Sequence, residues 1–181
     1  MYQQELARSG KVLFVIRGTY IYAIIAIGTL IAWCDRDIGP FASARADRAW
    51  FWLSLGIAAA GAAIRILTSG WAALGTSGRV KAAAEAAELN TTGPYSLVRN
   101  PLYVGRIVNY TGLAMLSGSW VFGALTLLLS ILIYERIAVY EEEFLRGKFG
   151  RAHADWAREV PALLPRLRGW VEPRYGFCGK G

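Results

Sequence analysis

Histidine occurs once in 181 residues and cysteine twice, at Cys34 and Cys178, far apart in the chain. That scarcity gives no basis for a disulfide or a metal site, and both cysteines read as plain thiols. No glycine-rich phosphate fingerprint follows a strand, and no convincing strand is present, so a Rossmann-type nucleotide domain is not expected. Basic residues outnumber acidic ones, 20 to 13, for a formal charge of +7. No nucleic-acid recognition motif accompanies that charge, and nucleic acid is not an expected partner. The first apolar stretch is too long for a signal-peptide core, and no small-x-small cleavage site follows it. Trp33 stands where a lipoprotein signal ahead of Cys34 needs a small residue, and Gly179-Lys180 after Cys178 is not the aliphatic pair of a prenylation signal.

What is present is apolar surface. With 55% hydrophobic residues and a mean hydropathy of +0.33, the chain is too apolar for one ordinary soluble domain and too short for two sizeable ones. Four apolar stretches approach the roughly 20 residues that a helix needs to cross hydrocarbon. They cover 12–34, broken by Arg17; 50–67, with Arg65 near its end; 102–116; and 120–139. Ser117-Gly118-Ser119 is too short for a water-exposed loop, so the last two read as a helical hairpin. The expectation is an all-α integral membrane protein, one domain over 1–181. Its transmembrane helices are expected over about 12–34, 50–68, 101–117 and 119–140, with a tail over 141–181. Lysines and arginines concentrate in the tail and the N-terminal flank, which places both termini and the 70–100 segment in the cytoplasm, facing anionic headgroups.

Two polar segments stand out. The alanine-rich run within 70–89 predicts a short amphipathic interfacial helix, and Asn90-Thr91-Thr92-Gly93-Pro94 ends it. The stretch that follows, GPYSLVRNPLYVG over 93–105, reads as a shaped loop feeding a helix whose first turn holds Pro101. Tyr95 and Tyr103 offer flat faces with polar tips; the plain alternative is that they sit in an aromatic belt while Arg99 and Arg106 snorkel to headgroups. After the last apolar stretch come Glu141, Glu142 and Glu143 at a helix end whose dipole opposes them. A Glu142–Arg146 pair, a solvated acidic face or a bound cation could each answer that. A metal is not expected, because no His or Asp lies at helical spacing beside them.

In this order, around a hairpin, the two segments resemble the isoprenylcysteine carboxyl methyltransferase family and related phospholipid methyltransferases, over residues 65–166. The blocks that carry the resemblance are Gly93-Pro94-Tyr95-Ser96-Leu97-Val98-Arg99-Asn100-Pro101-Leu102-Tyr103-Val104-Gly105, Glu141-Glu142-Glu143-Phe144-Leu145, Phe149-Gly150 and Val160-Pro161-Ala162-Leu163-Leu164-Pro165. Asn100 replaces the histidine of the best-known members, as in bacterial R-N-P-L-Y relatives, and cannot take a proton at neutral pH. His153 and Trp156 stand where that family often has tyrosine, and His153 is expected on the surface of the tail.

The resemblance implies an S-adenosylmethionine-dependent methyltransferase of the bacterial inner membrane. Its cytoplasmic cofactor pocket would lie between the pre-hairpin loop and the tail, lined by Tyr95, Val98, Asn100, Tyr103, Glu141 and Glu142. The acceptor would be a lipid-like or prenylated amphiphile, most simply a carboxylate. Arg99, with Arg65 as second candidate, would hold the acceptor's anion, because a guanidinium fork binds two oxygens at once. An amine acceptor would need a base, for which Glu135 is the candidate. A nicotinamide-dependent reductase of the sterol reductase type and a non-catalytic membrane scaffold are the alternatives.

Overall fold

The computed structural model describes residues 2–34, 40–41, 43–73 and 86–178. Among them every regular element is helical: α1 (Tyr2–Ile16), α2 (Tyr20–Cys34), α3 (Ala44–Trp71), α4 (Pro101–Met115), α5 (Trp120–Phe149) and α6 (Arg151–Glu159), with one 3-10 turn at Gly93–Ser96 ahead of α4. The interfacial helix expected within 70–89 falls for residues 74–85 outside the described residues, although α3 runs on as far as Trp71.

α3 and α5 are each long and apolar enough to cross a membrane, and α1 and α2 supply a third span if the bent pair is one. The continuous helix expected over 12–34 is instead broken at 17–19, with a bend of 66° between Arg8–Ile16 and Tyr20–Cys34. Arg17 sits at that break, buried, its guanidinium over the Phe14 ring and bonded to the Phe14 carbonyl. Gly18 and Thr19 complete the turn, Thr19 donating from its hydroxyl (2.8 Å) and from its N–H (2.9 Å) to the Ile16 carbonyl. α4 has 15 residues, about 22 Å at 1.5 Å each, short of the roughly 30 Å of hydrocarbon. α5 has the opposite property: its 30 residues make about 45 Å, so its last turns stand clear of the apolar layer and carry Glu141 and Glu142 with them. The helix passes through Gly147 and stops at Gly150, whose φ of +52° is a conformation that few side chains permit.

α4 is the centre of the bundle, packed by α3 on one side and α5 on the other, with α2 also against it and α1 against α5. Glycines let α3 approach so closely. A Cβ at Gly112 would lie 2.3 Å from the Ala58 nitrogen, and one at Gly61 would lie 2.3 Å from that of Asn109. Small residues replace the missing hydrophobic drive between helices in lipid, and interhelical polar bonds add to them. Here Asn109 donates from Nδ2 to the Ala58 carbonyl at 2.7 Å, and Trp50 donates from Nε1 to that of Met115 at 2.9 Å. The core between α1, α2, α4 and α5 gathers Phe14, Ile24, Tyr103, Ile107, Tyr110, Tyr134 and Ile137. Leu125, Leu128, Leu129 and Leu132 of α5, like Trp52, Leu53 and Leu55 of α3, face outward, as lipid-facing positions do.

The tail returns to the bundle. α6 folds back from Gly150, and residues 160–178 run as an irregular strap beneath the pre-hairpin loop. Its backbone bonds are Arg99 N–H to Pro161 O (2.8 Å), Arg166 N–H to Leu97 O (3.0 Å), Gly93 N–H to Val171 O (2.8 Å) and Cys178 N–H to Gly70 O (2.8 Å). Gly93 adopts φ +60°, which an ordinary side chain would resist. His153, expected on the tail surface, is 1% exposed beside Trp156, and neither ring nitrogen has a hydrogen-bond partner. The expectation fails because His153 shares one helix face with Trp156, Ala157 and Val160, opposite Arg151, Asp155 and Arg158, and α6 turns that face inward.

Two consequences are measurable. Gly112→Val should push α3 off α4 and lower the thermal unfolding midpoint in neutral detergent, the cost being about 1–3 kcal/mol for an overpacked contact. Gly56→Val, at a site where a Cβ meets nothing within 4 Å, should leave the midpoint unchanged. His153 supplies the second. Burial holds its pKa below the ordinary value, with Arg99 and Arg146 acting the same way and Glu142 opposing. The unfolded chain therefore binds this proton more readily, so the stability it contributes is present above the ordinary histidine pKa and is lost as pH falls below about 6.5 towards the folded value. His153→Phe should lose less stability than the native chain between about pH 7.5 and about pH 5.5, read by thermal unfolding.

Candidate functional site

The pre-hairpin loop meets α5 through one ion pair. Arg99 lays Nε on Glu142 Oε1 at 3.0 Å and Nη2 on Oε2 at 2.9 Å, a bidentate fork with both side chains about 15% exposed. Its remaining arm, Nη1, donates to the Ala157 carbonyl of α6 at 2.6 Å. Asn100 adds a third donor to the same carboxylate, from Nδ2 to Oε1 at 3.0 Å, and reaches the Ala162 carbonyl of the strap at 3.2 Å. Both partners accept only, so the amide must present its NH2 group to them. Asn100 is the N-cap residue of α4, yet its side chain makes no cap bond. An N-cap side chain ordinarily accepts from the N–H two or three residues on, but here the Asn100 amide is turned to Glu142 and the strap instead. The Glu142–Arg146 pair that helical spacing suggests gives way to this cross-chain one, since a fork with a third donor surpasses an exposed i,i+4 contact.

Glu141, the neighbouring carboxylate, points elsewhere. It faces a polar cavity of about 220 Å³, within hydrogen-bonding reach of the Tyr103 phenol and in the field of Arg17 and Arg106. Tyr95, Arg99, Asn100, Tyr103, Arg65 and Trp156 also line this cavity. Trp156 donates from Nε1 to the Tyr95 carbonyl at 3.3 Å, and Tyr103 stacks on Tyr134 at 5.1 Å between centroids. Burial, with the Glu141 charge in addition, raises the pKa of the Tyr95 phenol far above its ordinary value. The phenol is therefore a neutral donor at any working pH.

A second cavity, of about 1140 Å³, lies on the other side of the Arg99–Glu142 pair. Its walls are Val104, Ile107 and Val108 of α4, Leu127, Ile131 and Val139 of α5, and the strap from Pro161 to Pro165, with Glu135, Glu143 and Arg146 among its polar lining. Arg99 lines both cavities, Glu141 only the polar one and Glu142 only the apolar one. Successive residues on α5 thus look into different spaces, about 100° apart around the axis.

The structure brings together Tyr95, Arg99, Asn100, Tyr103, Glu141 and Arg65 around one cavity. Val98 is buried in packing and lines neither cavity, and Glu142 is engaged by Arg99 and Asn100. Sequence reasoning did not place Arg17, Arg106, Phe144 or Trp156 in the cavity wall. Arg17 had a signal, as a cation interrupting an apolar run; Phe144 and Trp156 had only their proximity to recognisable blocks. Among the described residues no group of three or more His, Cys, Asp or Glu side chains is placed to hold a metal.

Residues 51–152, just over half of the chain and including the loop, α4 and the carboxylate pair, match the phospholipid methyltransferase family. The nickel-cobalt-cadmium resistance protein NccN of Alcaligenes xylosoxydans xylosoxydans is 39% identical over 97 residues, covering 54% of this chain and 43% of that protein. The cobalt-zinc-cadmium resistance protein CzcN of Cupriavidus metallidurans is 38% identical over 97 residues, covering 54% and 42%. The chain spans under half the length of these curated relatives. No solved structure matches it. A helical membrane protein whose polar cavity is lined mostly by the matched region, with Arg17 and Trp156 added from outside it, this chain belongs to the phospholipid methyltransferase family.

Proposed function

We propose that the protein is an S-adenosylmethionine-dependent methyltransferase acting on a membrane amphiphile. The polar cavity would take the cofactor and the apolar cavity the hydrocarbon of the acceptor. The observation that carries this reading is the pair of cavities on either side of Arg99, one lined by charges and aromatic rings and the other by aliphatic side chains.

The residues fit the cofactor's chemistry. Glu141 is a carboxylate facing the cavity, able to accept from an ammonium or from ribose hydroxyls, and the rings of Tyr95, Tyr103 and Trp156 suit a sulfonium or an adenine. Bound there, the cofactor supplies an electrophilic methyl group. The protein's part is to hold and to exclude. Arg99, Asn100 and Glu142 form a rigid partition whose polar atoms are largely satisfied internally, and the strap closes the cytoplasmic side by backbone bonds. Alignment and exclusion of water supply most of the acceleration for an acceptor that is already an anion. A carboxylate acceptor, as in isoprenylcysteine-like groups, requires no base, which agrees with an asparagine at position 100 held as a donor to Glu142. Both termini would then lie in the cytoplasm, the polar cavity being lined by the last turns of α5 and by Trp156 of the tail. The names of the relatives concern metal resistance. Modification of a membrane component is the contribution this chemistry would make to such a system.

Calorimetry on the detergent-purified protein tests the reading. S-adenosylmethionine and S-adenosylhomocysteine should bind and NADPH should not; the reverse preference would move the protein to the reductases. Glu141→Gln should weaken S-adenosylhomocysteine binding by about tenfold, the loss typical of one charge-assisted hydrogen bond. Val108→Trp, which narrows the apolar cavity, should leave that affinity intact and lower methyl transfer to a lipid extract. Equal loss of both would show that the two cavities do not serve separate ligands.

A further inference from the structure

The polar cavity holds more positive charge than its own carboxylates answer. Arg17, Arg65, Arg99 and Arg106 line it against Glu88 and Glu141. Arg99 is neutralised from behind by Glu142, and Glu88 is taken by Arg174 at 2.7 Å and by the Tyr175 hydroxyl at 2.6 Å. Arg17 stacks on Phe14, and its contacts are already made. Arg65 and Arg106 remain; of these two, Arg106 is in the field of Glu141, which already has the Tyr103 phenol within hydrogen-bonding reach, whereas Arg65 is in the field of Arg106, Tyr110 and Tyr134.

Arg65 is the sharper of the two. It lies half-buried on α3, inside a helix apolar enough to span a membrane, and no acceptor among the described residues takes a hydrogen bond from it. Charges at such depth are costly unless a partner or a ligand answers them. Its route into the cavity is built: the stem crosses α4 at Gly105, where a Cβ would lie 2.6 Å from Arg65 Cγ. Any other residue at 105 would close that notch. Arg106, the next residue along α4, donates one N–H to the Arg17 carbonyl at 3.1 Å, which fixes it to the break between α1 and α2. The two guanidiniums are in each other's field, an arrangement that repels until an anion enters between them.

We propose that Arg65 and Arg106, with Arg17 at the edge, form an oxyanion-binding site in the polar cavity, for a carboxylate or phosphate on the ligand that enters it. The guanidinium fork matches both groups in the same way. Two sources present that chemistry here: the amino-acid carboxylate of the cofactor, and the headgroup of an amphiphile at the membrane edge. The inference rests on the polar cavity being a ligand site, as the proposed function has it.

Three probes on the full-length protein in neutral maltoside micelles separate the sources. These are S-adenosylhomocysteine, methylthioadenosine, which keeps the nucleoside and thioether but lacks the amino-acid end, and hexadecyl phosphate. If the anion is the cofactor's, Arg65→Gln weakens S-adenosylhomocysteine about tenfold, the scale of a charge-assisted bond, and leaves methylthioadenosine unchanged. If it is the amphiphile's, hexadecyl phosphate raises the unfolding midpoint of the native chain but not of Arg65→Gln, and S-adenosylhomocysteine affinity is unaltered. Either result supports the site. Arg65→Lys, which keeps the charge and loses the fork, should fall between native and Gln, and it serves as the test if Arg65→Gln does not fold. Native and variant chains binding all three probes alike would overturn the proposal, as would a native chain that binds none. Binding of hexadecyl phosphate alone, dependent on Arg65, would preserve the oxyanion site and remove the cofactor reading.

Discussion

The two N–H groups that Arg99 lays along the Glu142 carboxylate hold together parts of the chain that have no other reason to meet. On one side is a loop that must end in a helix N-terminus; on the other is a helix that has run past the apolar layer. Asn100 and the Ala157 and Ala162 carbonyls complete the set, so that α6 and the strap are tied to the same carboxylate. A guanidinium and a carboxylate at this depth are costly apart and stable only as a well-formed pair with further donors. The pair also forms the wall between a polar and an apolar space. Arg99 accordingly lines both spaces, one with charges and aromatic rings in its wall and the other walled mostly by aliphatic side chains.

The bundle beneath it is arranged to make this possible. α4 is too short to span hydrocarbon alone, and it is held by glycine-mediated contact with α3 and by aromatic packing with α5. A further glycine of the same contact, Gly105, which lies against Gly61 of α3, admits the stem of Arg65 across α4. Helix packing and delivery of charge to the cavity are thus one structural feature.

Much of this was legible in the residues. The apolar stretches mark α2, α3, α4 and α5, because lipid demands long helical runs and tolerates few charges. The loop from Gly93 to Gly105 and the run from Glu141 to Glu143 were recognisable as polar segments in the wrong place for mere solubility. The break at Arg17 was visible as a charge in an apolar run, but its consequence, a bend of 66°, required knowing that the side chain turns inward over Phe14. His153 was misplaced although its place was legible: with Trp156, Ala157 and Val160 it forms one helix face opposite Arg151, Asp155 and Arg158, and that face is the buried one.

The sequence by itself determined the helical membrane class, the hairpin and the identity of the chemical groups, since these depend on composition and on contacts only a few residues apart. Tertiary structure alone decided which group each carboxylate and guanidinium would face. Glu141 and Glu142 are neighbours with the same side chain. One looks into the polar cavity and the other is locked to Arg99, 43 residues away, because the helical turn separates them and the fold supplies a different partner on each side.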